Sequence, residues 1–164
     1  MKPRLPNVLL LIADDQAFHA WRSGNSVLRS PATAWLARNG TVFSHAFSPA
    51  TFCLPSRTSL LTSLFPHQHG WLGNRISIPA PPPRMFLPRE LQQAGYETAG
   101  FGKWHSPFSP TEAGFSFFDR MAFTGRTPPT QITSAATEYL ARRPAGAPPW
   151  FLWLSYVQPY WPWG

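Results

Sequence analysis

A single cysteine, Cys53, stands among the 164 residues, so no disulfide can form within the chain. Lysine is nearly as scarce: Lys2 and Lys103 are its two occurrences, and the rest of the 14 basic side chains are arginine. Acidic residues number 7, and the only aspartates are Asp14, Asp15 and Asp119. Long apolar runs are missing. Residues 8–13 (VLLLIA) fall far short of the roughly 20 apolar residues that span a bilayer, so no membrane-spanning helix is expected. The same run follows a basic start (Met1-Lys2-Pro3-Arg4) but stops at Asp14-Asp15, too short for a signal peptide. That favours a cytoplasmic protein, with a periplasmic or secreted one if the true start lies elsewhere.

What is abundant points to a packed, loop-rich chain. Hydrophobic residues make up 43% and charged residues 13%, which excludes global disorder. Twenty prolines and 11 glycines imply many turns, and 8 tryptophans with 13 phenylalanines supply large apolar surfaces. The net charge is +7, but the arginines are scattered, with Arg142-Arg143 the closest approach to a run. This reads as a solvated basic surface, and no nucleic-acid partner is expected.

Along the chain, residues 8–13 are continuously apolar, as in a strand covered on both faces. Ser30-Pro31 is a helix start, and that helix ends at Gly40. Residues 41–46 suit a short strand. Pro55 opens a second helix with Leu60, Leu61 and Leu64 on one side, ending at Pro66. Residues 76–83 form a proline-rich loop. A helix over 88–94, ended by Gly95, precedes a strand over 96–101. Ile132, Ala135, Ala136, Tyr139 and Leu140 have helical spacing within 131–143, and 150–156 is again of strand type. Strands alternating with helices predict an α/β fold: a largely parallel (mixed) central sheet with helices on both faces. Ligands of such folds bind beyond the carboxyl ends of the strands, where Asp14-Asp15 and the segment from Lys103 to His105 both fall.

Each candidate residue has two readings. Adjacent carboxylates repel, and Asp14-Asp15 serve either as a turn or helix cap, or as ligands of a hard divalent cation. Cys53 is either a small buried hydrophobe or a reactive group at a helix amino terminus, where negative charge is favoured. Arg57 lies close to that terminus. Lys103 and His105 are either a solvated strand end or part of one site with the aspartates. His67 and His69 are read as loop residues that satisfy local hydrogen bonds, not as ligands.

Cys53-Leu54-Pro55-Ser56-Arg57 resembles the sulfatase signature C-x-P-S-R, here followed by Thr58-Ser59-Leu60-Leu61-Thr62-Ser63. The opening through Asp14-Asp15-Gln16, the segment Pro66-His67-Gln68-His69-Gly70, Gly102-Lys103-Trp104-His105, and Gly114-Phe115 with Phe118-Asp119 are similar to further segments of that family, in order and at compatible spacing. The resemblance implies an alkaline-phosphatase/sulfatase-like fold and hydrolysis of sulfuric esters. It implies that Cys53 is oxidised to formylglycine, whose hydrate attacks sulfur with one hydroxyl and expels sulfate with the other. Asp14, Asp15 and Cys53 would then ligate Ca2+, with Mg2+ as an alternative. Arg57 would hydrogen-bond the formylglycine, Lys103 would contact the sulfate, and His105 would assist collapse of the diol. The implied partners are a small sulfated substrate (aryl sulfate, sulfated sugar or similar) and a formylglycine-generating or other maturing enzyme. A formylglycine-dependent phosphonate or phosphodiester hydrolase and an inactive truncated remnant are the alternatives.

Members of that family are longer. Residues 1–164 are therefore read as the amino-terminal portion of one catalytic domain, lacking the carboxy-terminal portion with its remaining metal ligands. Pro159-Tyr160-Trp161-Pro162 departs from the family's P-H-x-P segment, since tyrosine stands where histidine is usual. With an ordinary pKa of about 10, tyrosine is a poor proton carrier near neutral pH, and Tyr160 is left out of the catalytic set.

Overall fold

The computed structural model describes residues 5–17, 30–121 and 127–159. Strand β1 (Val8–Ala13) is followed by helices α1 (Pro31–Asn39), α2 (Cys53–Thr62), α3 (Pro66–His69) and α4 (Leu87–Gln93). Then come β2 (Glu97–Gly102), β3 (Phe117–Asp119), α5 (Pro129–Ala141) and β4 (Trp150–Tyr156). The four strands form one sheet in the order β1-β4-β2-β3, and every neighbouring pair is parallel. The α/β expectation is met.

The alternating side chains of β4 divide the core in two. Phe151 and Trp153 point to one face and pack with Leu61 of α2, Phe86, Trp104, Phe115 and the partly buried Leu87 and Leu91 of α4. Leu152 and Leu154 point to the other and meet Ile132 and Ala136 of α5, with Ala99 and Phe101 of β2. Helices thus cover both faces. Trp104 lies edge-on to Phe115 and Phe118 at 5.6 and 4.9 Å between ring centroids, the arrangement aromatic quadrupoles favour.

Local expectations change at residues 41–46 and in helix α2. Residues 41–46 form no strand. Among the described residues β1 is the outer strand of the sheet; Val8, Leu10 and Ile12 pack inward, whereas Leu9 and Leu11 are 48% and 50% exposed. Helix α2 begins at Cys53, two residues before its proline, and buries Leu54, Thr58, Leu61 and Thr62, while Leu60 is exposed. Its buried hydroxyls bond within the helix, Thr58 Oγ1 to the Leu54 carbonyl (2.8 Å) and Thr62 Oγ1 to that of Thr58 (2.7 Å), so a threonine-rich face can enter the core. The short β3 and α3 have too few residues to show a period.

Gly102, the last residue of β2, has a φ of +94, and a Cβ there would lie 2.2 Å from the Ser155 carbonyl oxygen of β4. The same carbonyl accepts the Lys103 amide at 2.9 Å, so this tight contact aims the chain into the segment carrying Lys103. Gly102→Ala should therefore destabilise the fold by at least about 2 kcal/mol, measured by urea unfolding.

Candidate active site

The carboxyl ends of β1, β4 and β2 lie side by side, and each delivers a polar group. Asp14 follows β1 and is buried. Ser155 is fully buried near the end of β4, and Lys103 follows β2 with 2% exposure. Arg57 enters from α2 and ties them together. Its Nη2 donates to Asp14 Oδ1 at 3.1 Å, and its Nη1 donates to Ser155 Oγ at 2.6 Å and to the Lys103 carbonyl at 3.3 Å. Lys103 Nζ donates to Asp14 Oδ2 at 2.5 Å. One carboxylate thus faces two cations inside the protein, and the second carboxylate, Asp15, lines the pocket beside them.

Cys53 is the first residue of α2, and its preceding cap residue, Phe52, offers no side-chain hydrogen bond. Asn74 supplies one instead: its Oδ1 accepts the Leu54 amide at 3.1 Å, and its Nδ2 lies 3.5 Å from Cys53 Sγ. Burial opposes ionisation of the thiol. It is outweighed by a hydrogen bond with His105, by the charges of Lys103 and His105, and by Asn74, and the pKa of Cys53 falls to about 7. Asp14, Asp15, Cys53, Arg57 and Asn74 line a single open pocket of about 780 Å3. Lys103 and His105 are not in its lining; Lys103 connects to it through Asp14, and His105 through Cys53.

All six residues singled out in the sequence therefore belong to one network, by lining the pocket or by touching a residue that does. Asn74 and Ser155 were missed. Ser155 had a faint signal, a small hydroxyl in an apolar strand; Asn74 had none, lying 21 residues from Cys53 in an irregular segment. Tyr160 lies outside the described residues. His69 is buried and takes the loop role expected of it. Its Nδ1 accepts the Trp71 amide at 3.2 Å, which puts the ring proton on Nε2, 3.1 Å from Ser59 Oγ. His67 is exposed and stacks on Phe65.

Asp14 and Asp15 offer hard oxygen donors to the pocket that holds Cys53, which suits a divalent cation of the calcium or magnesium kind. They supply only part of a shell. Among the described residues no group of three or more His, Cys, Asp and Glu side chains converges as a metal site, and both Asp14 oxygens are engaged by cationic side chains.

A parallel α/β sheet with charged side chains gathered at its carboxyl edge defines the fold class. The chain belongs to the Sulfatase family, whose model matches residues 6–164. It is 39% identical to human N-sulphoglucosamine sulphohydrolase over 63% of this chain and 21% of that protein. It is 36% identical to mouse steryl-sulfatase over 63% of this chain and 18% of that protein. The chain thus spans about a fifth of these relatives. Among solved structures, one described as in complex with its substrate D-glucosamine-2-N,6-O-disulfate superposes with a TM-score of 0.84 at 24% identity, over 97% of this chain and 35% of that one. The phosphonate monoester hydrolase of Agrobacterium radiobacter gives 0.73 at 20% identity, over 94% and 41%.

Two predictions follow from the buried groups. Asp14→Ala strands two buried cations without their shared anion and should cost about 3–5 kcal/mol in urea unfolding. His69 is held below its ordinary pKa, mainly by burial. The unfolded chain therefore binds the proton more readily, and His69's contribution is complete above pH 6.5 and lost as pH falls through its folded value. NMR titration should find His69 neutral at pH 6.5, with thermal stability declining on further acidification.

Proposed function

We propose that the protein containing this chain hydrolyses sulfate esters of sugars, with Cys53 converted to formylglycine as the source of the nucleophile. The observation that carries this reading is the placement of Cys53 at the amino terminus of a ten-residue helix, in one pocket with Asp14, Asp15 and Arg57. Membership of the Sulfatase family supports the reaction class. The sugar is favoured by relatives named N-sulphoglucosamine sulphohydrolase and N-acetylglucosamine-6-O-sulfatase.

The chemistry of the leaving group explains why these side chains suit the task. A sulfate monoester carries a negative charge, and charge shifts onto its bridging oxygen as the sulfur–oxygen bond breaks. Arg57, braced by Ser155 and Asp14, and Lys103, anchored on Asp14, hold positive charge at fixed positions and need little reorganisation as that charge develops. The positive end of the α2 dipole favours negative charge beside residue 53. His105, hydrogen-bonded to Cys53, is placed to hold or move a proton at that residue's side chain. Asp14 and Asp15 would hold a divalent cation, calcium before magnesium, which supplies further charge stabilisation when bound. Conversion of Cys53 requires a maturing enzyme as partner.

Coexpression with a formylglycine-generating enzyme should yield a Cys53 peptide with the mass of the aldehyde. The mature full-length enzyme should release inorganic sulfate from sulfated glucosamine, and Cys53→Ala should lower kcat by at least about a thousandfold while leaving the circular dichroism spectrum unchanged. An unmodified thiol alongside a converted control peptide, or faster turnover of an aryl phosphonate than of any sulfate ester, would overturn the reading.

A further inference from the structure

We infer that Asn74 is a positioning residue that fixes the direction of the residue 53 side chain and the first turn of α2. The amide is used at both ends. The Leu54 N–H can only donate, so its 3.1 Å partner must be the carboxamide oxygen, which turns the Asn74 NH2 group toward Cys53 Sγ at 3.5 Å. The thiol also lies 3.6 Å from the carboxamide oxygen. Helix α2 has no side-chain cap from Phe52, so Asn74 takes that place from 20 residues away in the chain.

An exposed asparagine in a loose loop could not hold anything, and this loop is not loose. Ile78 N donates to the Gly70 carbonyl at 2.7 Å, and Leu72 N and Gly73 N both reach the Ile76 carbonyl, at 2.8 and 3.1 Å. Trp71 and Ser77 form an antiparallel bridge, so Asn74 sits at the tip of a closed hairpin-like turn. The base of the turn is anchored to α2 itself, through Trp71 N to His69 Nδ1 and His69 Nε2 to Ser59 Oγ. Both ends of α2 are therefore tied to the segment carrying Asn74. On conversion of Cys53 to formylglycine an oxygen takes the place of Sγ, and the Asn74 NH2 group is then a donor aimed at the oxygen bound to the reacting carbon. A carboxamide can orient that oxygen without a proton of its own to lose, a task distinct from that of His105.

The kinetic part of this inference rests on the sulfatase reading; the structural part does not. In the unconverted protein, Asn74→Ala should raise the hydrogen-exchange rate of the Leu54 amide roughly tenfold and let the Cys53 side chain populate more than one rotamer in a crystal structure. Asn74→Asp keeps an acceptor for the Leu54 amide and for the thiol, so the amide should stay protected and the Cys53 side chain should stay in one rotamer. In the mature full-length enzyme, Asn74→Ala should lower kcat on the order of 100-fold with KM within about twofold, the pattern of misplaced reacting atoms. A Cys53 side chain that keeps one rotamer in Asn74→Ala would overturn the inference, as would unchanged kcat in an otherwise active Asn74→Ala enzyme. A parent enzyme that cleaves no sulfate ester would count against the proposed function, and the exchange rates and rotamers would then decide the role of Asn74 alone.

Discussion

The carboxylate of Asp14 is the point on which the whole carboxyl edge of the sheet depends. It accepts from Arg57 and Lys103, which lie 43 and 89 residues further along the chain. Removing these three charges from water is costly, and their mutual attraction offsets the cost only where geometry is good and the remaining donors find partners. Arg57 meets that condition by reaching Ser155 and the Lys103 carbonyl as well. The result is a poor device for stability but an effective one for position. Strands β1, β2 and β4 and helix α2 are held in one register around a single anion, at the edge of the pocket that Asp15 and Cys53 also line.

Helix α2 is the second constraint, and it follows from the first. To bring Arg57 to Asp14, the helix must lie deep against the sheet, yet its sequence is rich in hydroxyls. Thr58 and Thr62 resolve the conflict by donating to carbonyls one turn back, and Ser59 by meeting His69. The helix is therefore buried along most of its length without losing hydrogen bonds, and its amino terminus, with Cys53, emerges at the pocket. Packing, charge pairing and exposure of the reactive residue are three consequences of one placement.

Much of this was legible beforehand. Strands β1 and β4 and helix α5 show in their apolar runs and helical spacing, because each has a core-facing side long enough to express a period. The candidate site was legible for a different reason: strand ends carrying Asp14-Asp15 and Lys103 are unusual in a chain with three aspartates and two lysines. The missing strand over 41–46 and the identity of the buried face of α2 were not legible. Each depends on which remote segment packs against the element, and a local pattern carries no record of that.

The division is clearest at residue 53. Amino-acid order alone placed a cysteine ahead of a helix opened by proline, with an arginine about half a turn in, and it set two carboxylates and a lysine at strand ends; local propensity and apolar period suffice for that. Only the tertiary structure decided that Asp14 turns its carboxylate toward Arg57 and Lys103, that Ser155 braces the guanidinium, and that Asn74 caps the helix of Cys53. These contacts join segments 20 to 98 residues apart. They exist because a parallel sheet brings the ends of successive strands to one edge, where partners are chosen by distance in space and not by distance along the chain.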